Sequence, residues 1–177
     1  MANTFDKLGR VHRDAGRYAQ AEGYFKKDLA RAKSFQDCYQ ETEAHYGLSI
    51  LYLQWGKPTL MRSETTQVRL LAARHEYPYF AARAWELQGD AWLQNEKYTR
   101  AFQDYAKACM EMLKYTGLRY EELATRTLKH FDPLSIHVKK RIYRLLADWA
   151  DECSLESRER ELGSRIHLLE MISRALE

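Results

Sequence analysis

The sequence predicts an all-α fold made of antiparallel helical hairpins, and three observations carry that expectation. Turn formers are scarce: only eight glycines and three prolines occur among 177 residues, too few for the many turns of a β-protein. Apolar residues recur at spacings of three and four, as in Leu145, Leu146, Trp149 and Cys153 or in Ile166, Leu169 and Ile172, the period of one helix face. Finally, the chain resembles itself when shifted by forty residues, the mark of a repeated supersecondary unit.

Taken in order, the helices are predicted near 3–15, 18–34, 37–55, 58–75, 78–95, 98–114, 118–131, 134–152 and 155–176. Gly16 and Gly56 stand where a helix should stop. Pro58, Pro78 and Pro133 stand where one should start, a position at which the missing N–H costs nothing. Asp132 and Ser154 are suited to N-cap two of the later helices. The short connections predict that consecutive helices pack as hairpins.

The forty-residue shift aligns Phe5 with His45 and Trp85, then Leu8 with Leu48 and Gln88, then Gly9 with Ser49 and Gly89. His12, Tyr52 and Trp92 follow, as do Gly16, Gly56 and Glu96, and Tyr18, Pro58 and Tyr98. On the second helix Ala21, Met61 and Ala101 align, then Phe25, Thr65 and Tyr105. A glycine within a helix costs about 1 kcal/mol against alanine. Gly9 and Gly89 are therefore read as spacers that let two helices approach, with Ala21 and Ala101 opposite them and the large aromatics on either side.

An aromatic, Leu-Gly three residues later, a further aromatic and then Ala followed by an aromatic four residues on resembles the tetratricopeptide repeat. Phe5, Leu8-Gly9, His12, Ala21 and Phe25 match in the first unit, and Trp85, Gly89, Trp92, Ala101 and Tyr105 in the third. The middle unit departs with Met61 and Thr65, and the closing proline is replaced by Lys33, Ala73 and Leu113. The period of forty exceeds the usual repeat of about 34 residues, so a long-period variant is expected. The resemblance covers residues 2–114. It implies one domain over 1–177, a right-handed α-α superhelix of about nine helices, with 118–176 as a helical C-terminal part and 155–176 as its cap.

No catalytic or metal-binding pattern competes with this. "GKPT" at 56–59 shares the last letters of a P-loop, but Leu51 replaces the required glycine and Pro58 follows the lysine. None of the six histidines forms H-E-x-x-H, and no nucleophile elbow occurs. Cys38 and His45 lie about 10 Å apart along a helix, too far for activation. Cys38, Cys109 and Cys153 are odd in number and far apart, which favours free thiols. No apolar run reaches the length of a membrane span, and the opening residues "MANTFDKLGR" hold no apolar signal-peptide region; a cytoplasmic location is expected. Net charge is only +3, so no nucleic-acid partner is expected, and Lys139, Lys140, Arg141 and Arg144 read as a solvated face. No cofactor is expected, and no enzyme.

The function implied by the resemblance is a non-catalytic interaction module that binds a protein or peptide on a concave wall formed by the first helix of each unit. The residues expected there are Asn3, Asp6, Arg10, Arg13 and Asp14, then Glu43, Tyr46, Ile50, Leu53 and Gln54, then Arg83, Glu86, Asp90, Leu93 and Gln94. Tyr46 is the expected hydrophobic anchor. Family members that grip a terminal carboxylate use Lys and Asn at positions held here by Asp6, Arg10 and Gly47, so such a ligand is not expected. The regulatory part of a larger signalling protein and a self-associating helical protein are the alternative readings.

Overall fold

The computed structural model describes residues 4–115 and, beyond them, only Leu134, His137, Lys139 and Lys140. Six helices follow one another: α1 (Thr4–Asp14), α2 (Tyr18–Ser34), α3 (Cys38–Gln54), α4 (Pro58–Arg74), α5 (Pro78–Gln94) and α6 (Tyr98–Tyr115). No strand occurs among the described residues. The expected helices at 118–131, 134–152 and 155–176, their caps Asp132 and Ser154, and the cluster Lys139–Arg144 lie outside the described elements.

Helices α2 to α6 begin at 18, 38, 58, 78 and 98, one every twenty residues, and a chemical device repeats at the same interval. The residue at 16, 36, 56, 76 and 96 has φ between 55° and 71°, the left-handed conformation that stops a helix. The next residue donates its N–H five residues back: Arg17 to the His12 carbonyl, Asp37 to Ala32, Lys57 to Tyr52, Tyr77 to Ala72 and Lys97 to Trp92, at 2.8–2.9 Å. Glycine takes this place at 16 and 56, but Gln36, Glu76 and Glu96 carry a Cβ there, at roughly 1 kcal/mol each. Pro58 and Pro78 open α4 and α5 as expected. Asp37 caps α3 by accepting from the Gln40 N–H at 3.0 Å.

Each helix packs on the next. The odd helices also touch one another, α1 against α3 and α3 against α5, whereas the even helices barely do. That asymmetry curves the stack and sets α1, α3 and α5 on its inner side.

Gly9 and Gly89 are spacers, but the partner differs from the expectation. A Cβ on Gly9 would come within 2.8 Å of the Phe25 ring, and one on Gly89 within 2.6 Å of the Tyr105 ring. The aromatic four residues beyond Ala21 or Ala101, not the alanine, sits nearest to the glycine, because one helical turn along α2 or α6 brings the ring over it. Gly47 stands where carboxylate-gripping family members carry a side chain. It is instead a second spacer, where a Cβ would come within 2.7 Å of the same Phe25 ring. The ring of α2 is thus seated between a glycine of α1 and a glycine of α3. Forty residues on, the same three positions hold Ser49, Thr65 and Leu87, all buried. The ring has become small and the glycines have grown. Met61 and Thr65, departures from the family pattern, are 1% and 0% exposed; they keep the volume of the core, which is what packing requires.

The buried hydroxyls close onto their own helices. Thr42 donates to the Cys38 carbonyl at 2.7 Å and Ser49 to that of His45 at 2.9 Å, so neither is left unpaired in the core.

Candidate functional site

The inner side of the stack brings together the positions that the repeat register assigns to the wall, but many of them are already engaged with one another. On α1, the Arg10 guanidinium meets Asp6 at 2.8 Å and crosses to Glu43 of α3 at 3.1 Å. Gln40 donates to the other Glu43 oxygen at 3.2 Å. Between α3 and α5, Arg83 donates to the Tyr46 hydroxyl at 2.9 Å and pairs with Glu86. Asp90 accepts from the Tyr105 hydroxyl at 2.7 Å. Arg13 pairs with its neighbour Asp14 at 2.8 Å.

Three expectations change as a result. Asp6 and Glu86, expected at exposed wall positions, are 6% and 8% exposed; each is turned into an ion pair, with Arg10 and with Arg83, that gives the shielded carboxylate a partner. Tyr46 is half-buried and packs edge-on against Phe80 of α5, with ring centres 6.0 Å apart. It is therefore a structural contact of the α3–α5 interface. Arg10, Gln54 and Gln94 are exposed, and Arg13, Ile50, Arg83 and Asp90 are half-buried.

Burial is the dominant influence on the acidic and phenolic groups here. It pushes the Glu43 carboxyl up, with Asp6 adding to the rise and Arg10 opposing it. It raises the Tyr46 phenol too, against the pull of Arg83, and the Tyr105 phenol, with Asp90 reinforcing the rise. These phenols stay neutral and act as hydrogen-bond groups. The arrangement holds and orients; no nucleophile with an adjacent base emerges from it.

Sequence reasoning missed a pocket of about 240 Å³ at the C-terminal ends of α3 and α5, lined by Tyr52, Leu53, Gly56, Pro58, Ala91, Gln94 and Asn95. Leu53 and Gln94 were assigned to the wall, but the cavity arises from the turn at Gly56 and from the small Ala91, and only the packed hairpins reveal it. The pairs across helices had a visible signal: Arg10–Glu43 and Tyr46–Arg83 are separated by 33 and 37 residues, slightly less than one repeat.

Away from the wall, His45 is 7% exposed and its Nδ1 lies 2.6 Å from a Glu64 oxygen. His12 stacks on Tyr24 with centres 5.0 Å apart. Both serve packing, as their register suggested. Cys38 carries a free thiol, and Cys109 is buried. Among the described residues no group of three His, Cys, Asp or Glu converges on one point, and no helix is long and apolar enough to cross a membrane.

A family model for the tetratricopeptide repeat matches residues 7–60 and 68–111, more than half of the chain. Neither the curated proteins nor the solved structures yield a match. The matched segments run from α1 to α6 and contain the spacer glycines with the rings that seat on them. The chain belongs to the tetratricopeptide repeat family.

Proposed function

We propose that the chain is a non-catalytic interaction module that binds a segment of another protein along the inner faces of α1, α3 and α5. Tetratricopeptide arrays generally mediate contacts between proteins, and stacked hairpins give them an extended concave surface. The observation that carries the reading for this chain is the pocket between the ends of α3 and α5. It adjoins Leu53 and Gln94, and Ile50 lies one turn away on the same face of α3. A single apolar side chain of a partner fits such a volume, while Arg10, Gln54 and Gln94 remain exposed to fix its polar neighbours.

In this reading the array winds as a right-handed superhelix of about nine helices across 1–177, acts in the cytoplasm, and takes no nucleic acid. Tyr46 holds the floor of the wall through Arg83 and Phe80, and Ile50 and the pocket hold the ligand.

Affinity capture from a lysate, with the wild-type chain and the Ile50→Arg variant compared by mass spectrometry, tests it. A protein recovered reproducibly by the wild type and lost with Ile50→Arg, at unchanged circular dichroism, supports the reading. Recovery of that protein at equal yield by both forms places the binding elsewhere.

A further inference from the structure

On α5, Trp85 and Trp92 stand two turns apart, almost on the opposite side of the helix from Arg83 and Asp90. They fill the groove between α4 and α6, and cations reach them from both neighbours. Arg69 of α4 lies 4.0 Å and Lys107 of α6 lies 4.3 Å from the centre of the Trp85 ring. Arg62 of α4 lies 5.2 Å and Arg100 of α6 lies 5.0 Å from that of Trp92. Each row of cations is spaced by seven residues, about 10 Å along its helix.

These contacts position the cations without neutralising them. Lys107 pairs with Asp104 at 3.0 Å, and the other Asp104 oxygen accepts from the Trp92 indole at 3.1 Å. Among the described residues no carboxylate forms an ion pair with Arg62, Arg69 or Arg100. Arg62 and Arg100 are exposed. Burial already pulls the Arg69 guanidinium below its ordinary range. Four cations held in one groove against one buried carboxylate make a surface with surplus positive charge, which an anionic ligand relieves.

The geometry points to the α4–α6 groove as a second docking surface, one that takes an acidic segment of a partner protein whose carboxylates recur at about 10 Å. Charge complementarity names the class, and the indoles decide between an acidic peptide and a nucleic acid. A base would need an open ring to stack on, and both rings already carry cations from α4 and α6. Carboxylates need only the cations. The surface is distinct from the inner wall and does not depend on it.

The test uses the full chain and a fluorescein-labelled peptide of Glu-Gly-Ser repeats, whose glutamates fall about 10 Å apart when extended, followed by fluorescence anisotropy. Binding should weaken about fivefold in Arg62→Gln/Arg100→Gln, the loss of two partly solvated ion pairs. It should persist in Arg62→Lys/Arg100→Lys and in the charge-matched control Lys7→Gln/Arg17→Gln. It should also fall steeply as salt rises from about 50 to about 500 mM, a readout that needs no variant to fold. A Lys-Gly-Ser peptide should not bind. The proposal is overturned by no binding of the glutamate peptide at about 1 mM, by salt-insensitive binding, or by equal loss in the two Gln double variants. Tighter binding of a single-stranded oligonucleotide with the same dependence on Arg62 and Arg100 also overturns it and assigns the groove to nucleic acid.

Discussion

The groove between α2 and α4 and the groove between α4 and α6 are built on equivalent backbone positions forty residues apart, yet their charged groups differ. In the first, Glu22, His45, Tyr52 and Glu64 occupy the places that Arg62, Trp85, Trp92 and Asp104 occupy in the second. Glu22 accepts from the Tyr52 hydroxyl at 2.7 Å and pairs with Lys26 at 2.7 Å, and Glu64 lies against His45. Both carboxylates of the first groove thus have a partner. In the second, three arginines meet aromatic faces and no carboxylate ion pair among the described residues. The repeat dictates where side chains stand, and the choice of side chain decides whether the groove is finished or still open to a ligand.

The largest effect should come from making the first seat like the second. Leu87 occupies the place of Gly47, forty residues on. Gly47→Leu should cost about 3 kcal/mol, because the new side chain meets the Phe25 ring. Adding Phe25→Thr, which copies Thr65, should recover part of that loss. Chemical denaturation of the single and double variants reads both numbers. A double variant that merely adds two losses would show that the two seats are not equivalent.

Next in size, Tyr105→Phe should cost about 1 kcal/mol, since Asp90 would lose its 2.7 Å donor. Phe25 occupies an equivalent place, eighty residues earlier, without a hydroxyl, so the ring itself survives the change.

The pH dependence follows from the same groups. Burial first, then the neighbouring carboxylate, holds the phenols of Tyr52 and Tyr105 above their ordinary 10.0. The unfolded chain releases these protons near pH 10 while the folded chain retains them. Their contribution to stability is therefore complete below about pH 10 and is lost as pH rises beyond it. Melting curves across that range should show a steeper alkaline decline for the wild type than for Tyr52→Phe/Tyr105→Phe. At the acid end the sign reverses. Lys26, with Tyr52 adding and burial opposing, lowers the Glu22 carboxyl, so its contribution is present above the ordinary carboxylate range and fades as pH falls through the lowered value.

A gain of about the same size as the Tyr105→Phe loss should come from Gln88→Leu. Gln88 takes the place of Leu8 and Leu48, and its buried side-chain oxygen has no hydrogen-bond partner among the described residues. Removing that unsatisfied acceptor should stabilise the chain by about 1 kcal/mol in a thermal melt. The smallest is Gln36→Gly, which relieves a left-handed residue at φ 55°. It should add at most about 0.5 kcal/mol, because glycine also gains freedom in the unfolded chain.

Much of the fold was legible because it rests on local signals. Gly16, Gly56, Pro58 and Pro78 mark turns by their own backbone chemistry, and the first six helices stand within a residue or two of where these marks put them. The forty-residue shift also found Gly9 and Gly89. Gly47 escaped because no glycine recurs at its register: Lys7 stands forty residues before it and Leu87 forty residues after. The site was less legible. A helical period says which residues share a face, but not whether Asp6 or Glu86 turns into an ion pair instead of facing solvent. Arg83 binding Tyr46 depends on how far α5 sits from α3, and the pocket beside Leu53 depends on two turns meeting. Those distances are set by tertiary packing.

The central claim is that a protein partner lies along the odd helices. Photocrosslinking tests it most directly, with benzoylphenylalanine placed singly at Gln54 of α3, Gln94 of α5 or Ala30 of α2, all exposed. The same partner protein should be captured from Gln54 and Gln94 and not from Ala30. Capture from Ala30 alone, or from all three positions equally, would contradict the account.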